Sequence, residues 1–374
     1  MRAWSWAIAF CLLASAAAAD PLPKSSQAYL AQLHLDASIL DGIEAELAVP
    51  PAWLEGARRE GKLKMAGSWD PDQFTRIAAP FRERFPFIQT EYSRAAYTNR
   101  AIANLTASRA GRVLTDVMTG FGGGSAMFKQ ANLLENLSDI PNLQRLASDH
   151  MRDPEGFWVG HLVTQWCISY NTKLLSPADL PKHWDDLPDN PKWGEGRLGV
   201  GDRPQLWLIA LWEERGEAWG RAYVERLFGT LKPQIRKEGM NALISLVELG
   251  ELSAALPSSG YRTRSEQDKG APVSFHCPEP VPVSINQLGI LRNSADPNAA
   301  KLFVNWLLSR EGQIAQNAAD NAIPVHRDLQ DDRFVPYARD NQGKAVALRT
   351  PDALDRWDET VLKVWNDHWQ KTGR

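Results

Sequence analysis

For about 80 residues after Gly61 the chain alternates between short apolar runs and helical segments, and this alternation constrains the fold more than any other feature. LKMAG reads as a strand. Asp70-Pro71-Asp72-Gln73 reads as a helix start, with an Asp cap, Pro in the first turn and Gln three residues on. Phe74, Ile77, Ala78, Phe81 and Phe85 follow on one helical face, and Pro80 inside that pattern predicts a kink or an early end. FIQTEYS is a second strand, and Thr98 to Ala110 a weaker helix closed by Gly111. VLTDVMT is a third strand, running into Gly120–Ser125 and a helix from about Ala126. Strands alternating with helices predict an α/β fold built on a mostly parallel sheet with helices on both faces.

The second half changes character. WVGHLVTQWCISYN and VSFHCPEPVPVSINQLGIL are long extended runs about 110 residues apart, with helical and short strand signals between them. They predict a second lobe inserted into the first, with two crossing strands as a hinge. The expected organisation is an N-terminal helical segment over 20–60 and the first part of lobe one over 61–164. Lobe two follows over 165–284, the return of lobe one over 285–330 and a C-terminal helical segment over 331–374. On the last helix Trp357, Val361, Trp365 and Trp369 recur every four residues as an apolar stripe.

Composition removes several function classes. A net charge of −3 with mixed signs argues against a basic nucleic-acid footprint. Met1-Arg2, the apolar run Ala3 to Leu13 and the small residues Ala14 to Ala19 form the pattern of a secretory signal peptide over residues 1–19. The apolar run is too short to span about 30 Å of hydrocarbon. The expected destination is the periplasm. Cys11 does not read as a lipidation site, because Phe10 precedes it where a small residue is needed. The other two cysteines, Cys167 and Cys277, are read as a possible disulfide or as two buried thiols. The seven histidines show no H-x-x-x-H or H-E-x-x-H spacing, and no G-x-S-x-G elbow occurs. No metal site and no catalytic residue is assigned.

Six stretches occur in one order from roughly Ala52 to Leu329: WLEGARREGKLKMAG; APFRERFPFIQTEY; LTDVMTG; ISYNTKLL with DLPKHWDDL and NPKWGEGRLGV; DKGAPVSFHCPEPVPVSI; and DPNAAKLFVNWLLSREGQIAQNA with IPVHRDL. Behind the expected leader they make the chain resemble the bacterial extracellular solute-binding proteins of ABC importers. That family includes ferric-ion, phosphonate, thiamine and hexose-phosphate binders. The resemblance implies a two-lobe periplasmic-binding-protein fold whose lobes close on a small ligand. It further implies an inner-membrane ABC permease as partner, a monomer, no cofactor and no enzymatic activity. Many ferric binders carry adjacent tyrosines where this chain reads SSGYRTRSE; here Tyr261 stands alone between Gly260 and Arg262. Two alternatives share the fold: a ligand sensor for a membrane receptor, and a secreted thiaminase-like enzyme with a cleft cysteine. Cys167, in an apolar strand, suits a buried thiol better than a thiolate nucleophile.

Ligands of open α/β sheets sit beyond the carboxyl ends of strands. That rule selects Ser68 and Trp69 after the first strand, a hydroxyl and a flat aromatic face. It selects Gly122, Gly123, Gly124 and Ser125, whose backbone N–H groups could cradle an anion. In lobe two it selects Arg203, Asn241 and the group Ser259, Tyr261 and Arg262. The bland counterparts are a packed Trp, a glycine turn, a solvated Arg and a helix cap. These loops contain no dense carboxylate cluster, so the expected ligand is anionic or polyol-like.

Overall fold

The computed structural model describes residues 21–94, 97–121, 125–335, 339 and 341–372. The signal-peptide expectation for residues 1–19 lies outside them, as do Gly122, Gly123 and Gly124. Three helices come first, α1 (Lys24–Gln32), α2 (Ile43–Leu47) and α3 (Pro51–Glu60). The predicted alternation follows: β1 (Lys62–Gly67), α4 (Pro71–Ile77), α5 (Ala79–Arg84), β2 (Gln89–Arg94), α6 (Tyr97–Arg109), β3 (Val117–Thr119) and α7 (Ser125–Gln130). Asp70 and Gln73 form a capping box. The helix breaks at Ala78, just before Pro80, because proline cannot donate to the preceding turn. β3 is shorter than VLTDVMT suggests. Thr115 and Asp116 use their side chains on the Lys64 backbone instead of extending the ladder.

β4 (Val159–Asn171) leaves the first lobe. Beyond it stand β5 (Leu198–Val200), α8 (Leu208–Arg215), α9 (Glu217–Arg226), β6 (Gln234–Ile235), α10 (Met240–Leu249), β7 (Ala254–Ser259), α11 (Gly260–Asp268) and β8 (Val273–His276). β9 (Val281–Ile290) returns, followed by α12 (Pro297–Leu307), α13 (Arg310–Asp320), β10 (Val346–Arg349) and α14 (Pro351–Thr372). The strands join in the order β2-β1-β3-β9-β4-β7-β5-β6, with β10 on β9 and β8 on β4. β1 is parallel to β2 and β3, and β5 is parallel to β6 and β7.

The two crossing strands are β4 and β9, paired antiparallel from Val159↔Leu288 to Gln165↔Val283. Trp166 Nε1 donates to Ser284 Oγ at 2.6 Å, and Asn286 Nδ2 to Thr164 Oγ1 at 2.8 Å. β4 has irregularities at Gly160/Leu162 and Cys167/Ser169. Bulges bend a strand and raise its twist, which lets β4 serve the sheets of both lobes.

Each lobe has its own core. In lobe one Phe81, Phe303 and Trp306 meet with ring centroids 5.1–5.6 Å apart. Tyr29, Leu30, Ile43 and Trp53 of the N-terminal helices belong to the same core. The second core is aromatic: Trp184 stacks on Trp207 at 5.0 Å, and Phe228 meets Trp365 at 4.9 Å. Thus the stripe on α14 packs on lobe two. The stretch expected to be wholly helical beyond residue 330 also contributes β10, which runs parallel to β9 from Val346↔Val281 to Arg349↔Ser284. Of its four residues Val346 is exposed, Ala347 buried and Leu348 and Arg349 half-buried, and the β9 edge recruits them as a strand. Cys167 and Cys277 form a disulfide with Cα atoms 5.0 Å apart.

Candidate functional site

The carboxyl ends of β3 and β7 reach the crossing strands from the two lobes, Thr119 opposite Leu288 and Ser259 opposite Trp166, and the site lies between them. On the lobe-one side β1 ends at Gly67, against the Thr119 hydroxyl of β3 and the Tyr92 hydroxyl of β2; a Cβ on Gly67 would lie 2.7 and 2.8 Å from them. Ser68 is exposed. Trp69 is 3% exposed, and this corrects the expectation of a free stacking face. Its ring is covered by Phe74, Tyr92 and His161, at 6.2, 6.3 and 5.2 Å. Tyr92 also donates its hydroxyl to the Trp69 carbonyl at 2.9 Å. His161, on β4, is held by Gln316 Oε1 at 2.7 Å, and burial pulls its pKa down to about 4, so the imidazole is neutral at pH 7. Ser125 opens α7 and is buried; the glycines before it lie outside the described residues.

Asp70 begins α4 and pairs with Arg94 at 3.1 Å. Gln73, one turn on, accepts from the Asp70 N–H and donates its Nε2 to Asp320 Oδ1 at 2.6 Å. Asp320 is the last residue of α13. Burial and the nearby Asp70 carboxylate push its pKa up to about 7, while Arg262 and Arg76 pull the other way.

Across the cleft β7 ends at Ser258 and Ser259, both buried, and α11 begins at Gly260. Tyr261 and Arg262 lie in its first turn. α11 packs against α13, which brings Tyr261 and Arg262 to Asp320 and Asp70. Burial, with Asp320 next, pushes the Tyr261 phenol up to about 12. Arg262 lies 3.6 Å from Glu266 of its own helix.

Six polar groups from two lobes therefore converge: Asp70, Gln73 and Asp320 opposite Ser259, Tyr261 and Arg262. The loops selected from the sequence hold no dense carboxylate cluster, and the fold adds Asp320 of α13 beside Asp70 at the cleft. Asp320 lies outside every loop selected from the sequence, and Asp70 and Gln73 had been read only as a helix start. Two lobe-two candidates stay apart from the group. Arg203 is exposed beyond β5, with no ion pair among the described residues, because its chain turns into the short helix at Pro204–Leu206. Asn241 is exposed in the first turn of α10 and its side chain makes no cap bond. Cys167 is fully buried and bridged, so it carries no thiolate.

A family model described as bacterial extracellular solute-binding protein matches residues 118–347. The chain is 27% identical over 179 residues to the major ferric iron-binding protein of Neisseria meningitidis serogroup B. That alignment covers 45% of this chain and 53% of the relative, so the chain spans about half the length of the curated relatives it matches. Iron-bound HitA from Pseudomonas aeruginosa superposes with a TM-score of 0.68 at 23% identity, covering 82% of this chain and 99% of that one. AfuA from Actinobacillus pleuropneumoniae, with fructose-6-phosphate bound, gives 0.62 at 19% identity, covering 82% and 98%. At these identities the two structures speak for the two-lobe α/β fold.

Proposed function

The chain belongs to the bacterial extracellular solute-binding proteins, and from that premise we propose that it captures a small solute between its lobes and delivers it to an inner-membrane ABC permease. The observation that carries the reading is the meeting of Asp70, Gln73 and Asp320 with Ser259, Tyr261 and Arg262 across the cleft. A solute touching both sets binds the closed state better than the open one, and that difference drives closure. The β4–β9 pair supplies the hinge. Export to the periplasm fits the leader-like residues 1–19, and no described helix is long and apolar enough to cross a membrane. Permease docking and a monomeric state are part of the proposal.

The solute we propose is polyol-like, with hydroxyls that donate to the carboxylates and accept from Tyr261 and Arg262. Ferric ion is a second reading, favoured by the relative named for it and by three oxygen groups at the cleft, Asp70, Asp320 and Tyr261. Against it, burial holds the proton on the phenol up to about 12, and the residue before Tyr261 is glycine. A thermal-shift screen against sugar phosphates, polyols, phosphonates, carboxylates, polyamines and ferric ion tests the function. A solute at about 100 times its Kd adds about 2.7 kcal/mol. Stabilisation by a hydroxylated solute supports the main reading, and stabilisation by ferric ion alone replaces it with the second. Absence of any stabilising solute, with none recovered from the purified protein, overturns solute capture.

A further inference from the structure

Asp320 stands at the carboxyl end of α13, where the helix dipole disfavours a negative charge. The polar and charged groups that act on it come from α4 with its cap and from α11. From α4 come Asp70, Gln73 and Arg76; from α11 come Tyr261 and Arg262. Most of these are already engaged. Asp70 pairs with Arg94, Arg262 lies beside Glu266, and Arg76 donates to Gln32 and to the Ala318 carbonyl. Among the described residues the hydrogen-bond donor left to Asp320 is Gln73 Nε2, at 2.6 Å. A carboxylate offers about four lone-pair sites and no proton of its own. Asp320 is half-buried, and one neutral protein donor beside a second carboxylate supports its ionised form less well than full hydration does in an open cleft. The structure thus closes over Asp320 most readily as the carboxylic acid.

We propose that Asp320 is the residue through which the cleft senses its solute: the empty cleft closes over the protonated acid, and a bound solute replaces that proton with a hydrogen-bond-donating hydroxyl pair. The inference rests on solute capture between the lobes and adds which group is recognised and by what. Its chemistry has a consequence that needs no identified solute. Opening the lobes removes α11 and rehydrates Asp320, which moves its pKa down towards the ordinary carboxylate range while Asp70 of the same lobe stays beside it. In the closed molecule its pKa is about 7. A group with the higher pKa in the closed state takes up a proton on closure. The closed-to-open ratio of the empty protein therefore falls, by at most about tenfold per pH unit, as the pH rises to about 7, and levels off above that.

The test uses the ligand-stripped protein, with protons as the probe, and reads the radius of gyration by X-ray scattering from pH 5 to 8. Wild type opens as the pH rises to about 7. Asp320→Asn, uncharged and nearly isosteric, stays closed with no pH response. Gln73→Ala removes the remaining donor and moves the wild-type transition to higher pH, which keeps the test decisive if the Asn variant folds poorly. A flat wild-type profile, or the same transition in Asp320→Asn, overturns the role of Asp320. The second arm takes the solute found by thermal shift and measures its binding heat at pH 6 in buffers of different ionisation enthalpy. About one proton is released by wild type and none by Asp320→Asn. Closure on a solute with equal proton release in both proteins defeats this inference and leaves solute capture standing, whereas failure of every solute to bind defeats solute capture itself.

Discussion

Replacing Glu46 by Gln probes how the N-terminal helices are fastened to lobe one. Glu46 is 1% exposed. Its two oxygens accept from the Arg310 backbone N–H at 2.8 Å and from Arg310 Nε at 2.6 Å. His326 Nε2 lies 3.5 Å away, and Arg145 3.8 Å. Burial alone raises the pKa of such a carboxyl. The nearby His326 ring and the bonds from Arg310 outweigh burial and hold it at about 2, against an ordinary 4.5. The folded value is the lower one, so the charge stabilises the fold above about 4.5, and this is lost as the pH falls towards 2. A difference of about 2.5 units at 1.36 kcal/mol each corresponds to about 3 kcal/mol. Breaking a buried ion pair costs about 3–5 kcal/mol, so the two routes agree. Urea unfolding of Glu46→Gln at pH 7 should show a loss of about 3 kcal/mol. The gap between variant and wild type should close as the pH falls from 4.5 to 2. A variant within 1 kcal/mol of wild type at pH 7, or a gap that persists at pH 2, refutes the reasoning.

Three further outcomes are expected. Gly220→Ala would put a Cβ 2.2 Å from the Trp212 ring, so it should cost about 1–3 kcal/mol in urea unfolding; a neutral effect contradicts the packing of α9 on α8. The Cys167–Cys277 bridge closes a loop of 110 residues, and the double Ala variant should lose about 4–5 kcal/mol; an equal midpoint with and without the bridge contradicts it. Trp365→Ala removes the fully buried anchor of α14 at a cost of about 3–5 kcal/mol, read as a lower thermal midpoint and faster proteolysis of the C-terminal helix. Protection of that helix from protease at the wild-type level refutes the assignment.

The alternation after Gly61 was legible because each element carries local chemistry. Asp70, Pro71 and Gln73 start a helix through contacts within one turn, and Pro80 breaks it through its own missing N–H. The crossing strands were legible as long apolar runs, since strands buried on both faces lose their alternation. Tyr261 and Arg262 could be singled out because they follow a strand directly. Asp320 could not: it meets Gln73 across 247 positions, and nothing around it marks it as more than the end of an amphipathic helix. Trp69 shows the converse failure. A tryptophan after a strand fits a ligand platform, but Phe74, Tyr92 and His161 already occupy its faces. The stripe on α14 was visible as apolar, whereas its destination against Trp207 and Phe228 depends on tertiary packing that periodicity does not encode.

The most direct test of solute capture between the lobes is the radius of gyration of the ligand-stripped protein at pH 8, before and after adding the solute that stabilises it most. Our account predicts contraction on loading, at least tenfold weaker solute affinity in Tyr261→Ala, and a comparable loss in Asp320→Asn, which removes a contact from the opposite lobe. A solute that binds tightly without contracting the molecule, or whose affinity is untouched by both substitutions, would contradict it.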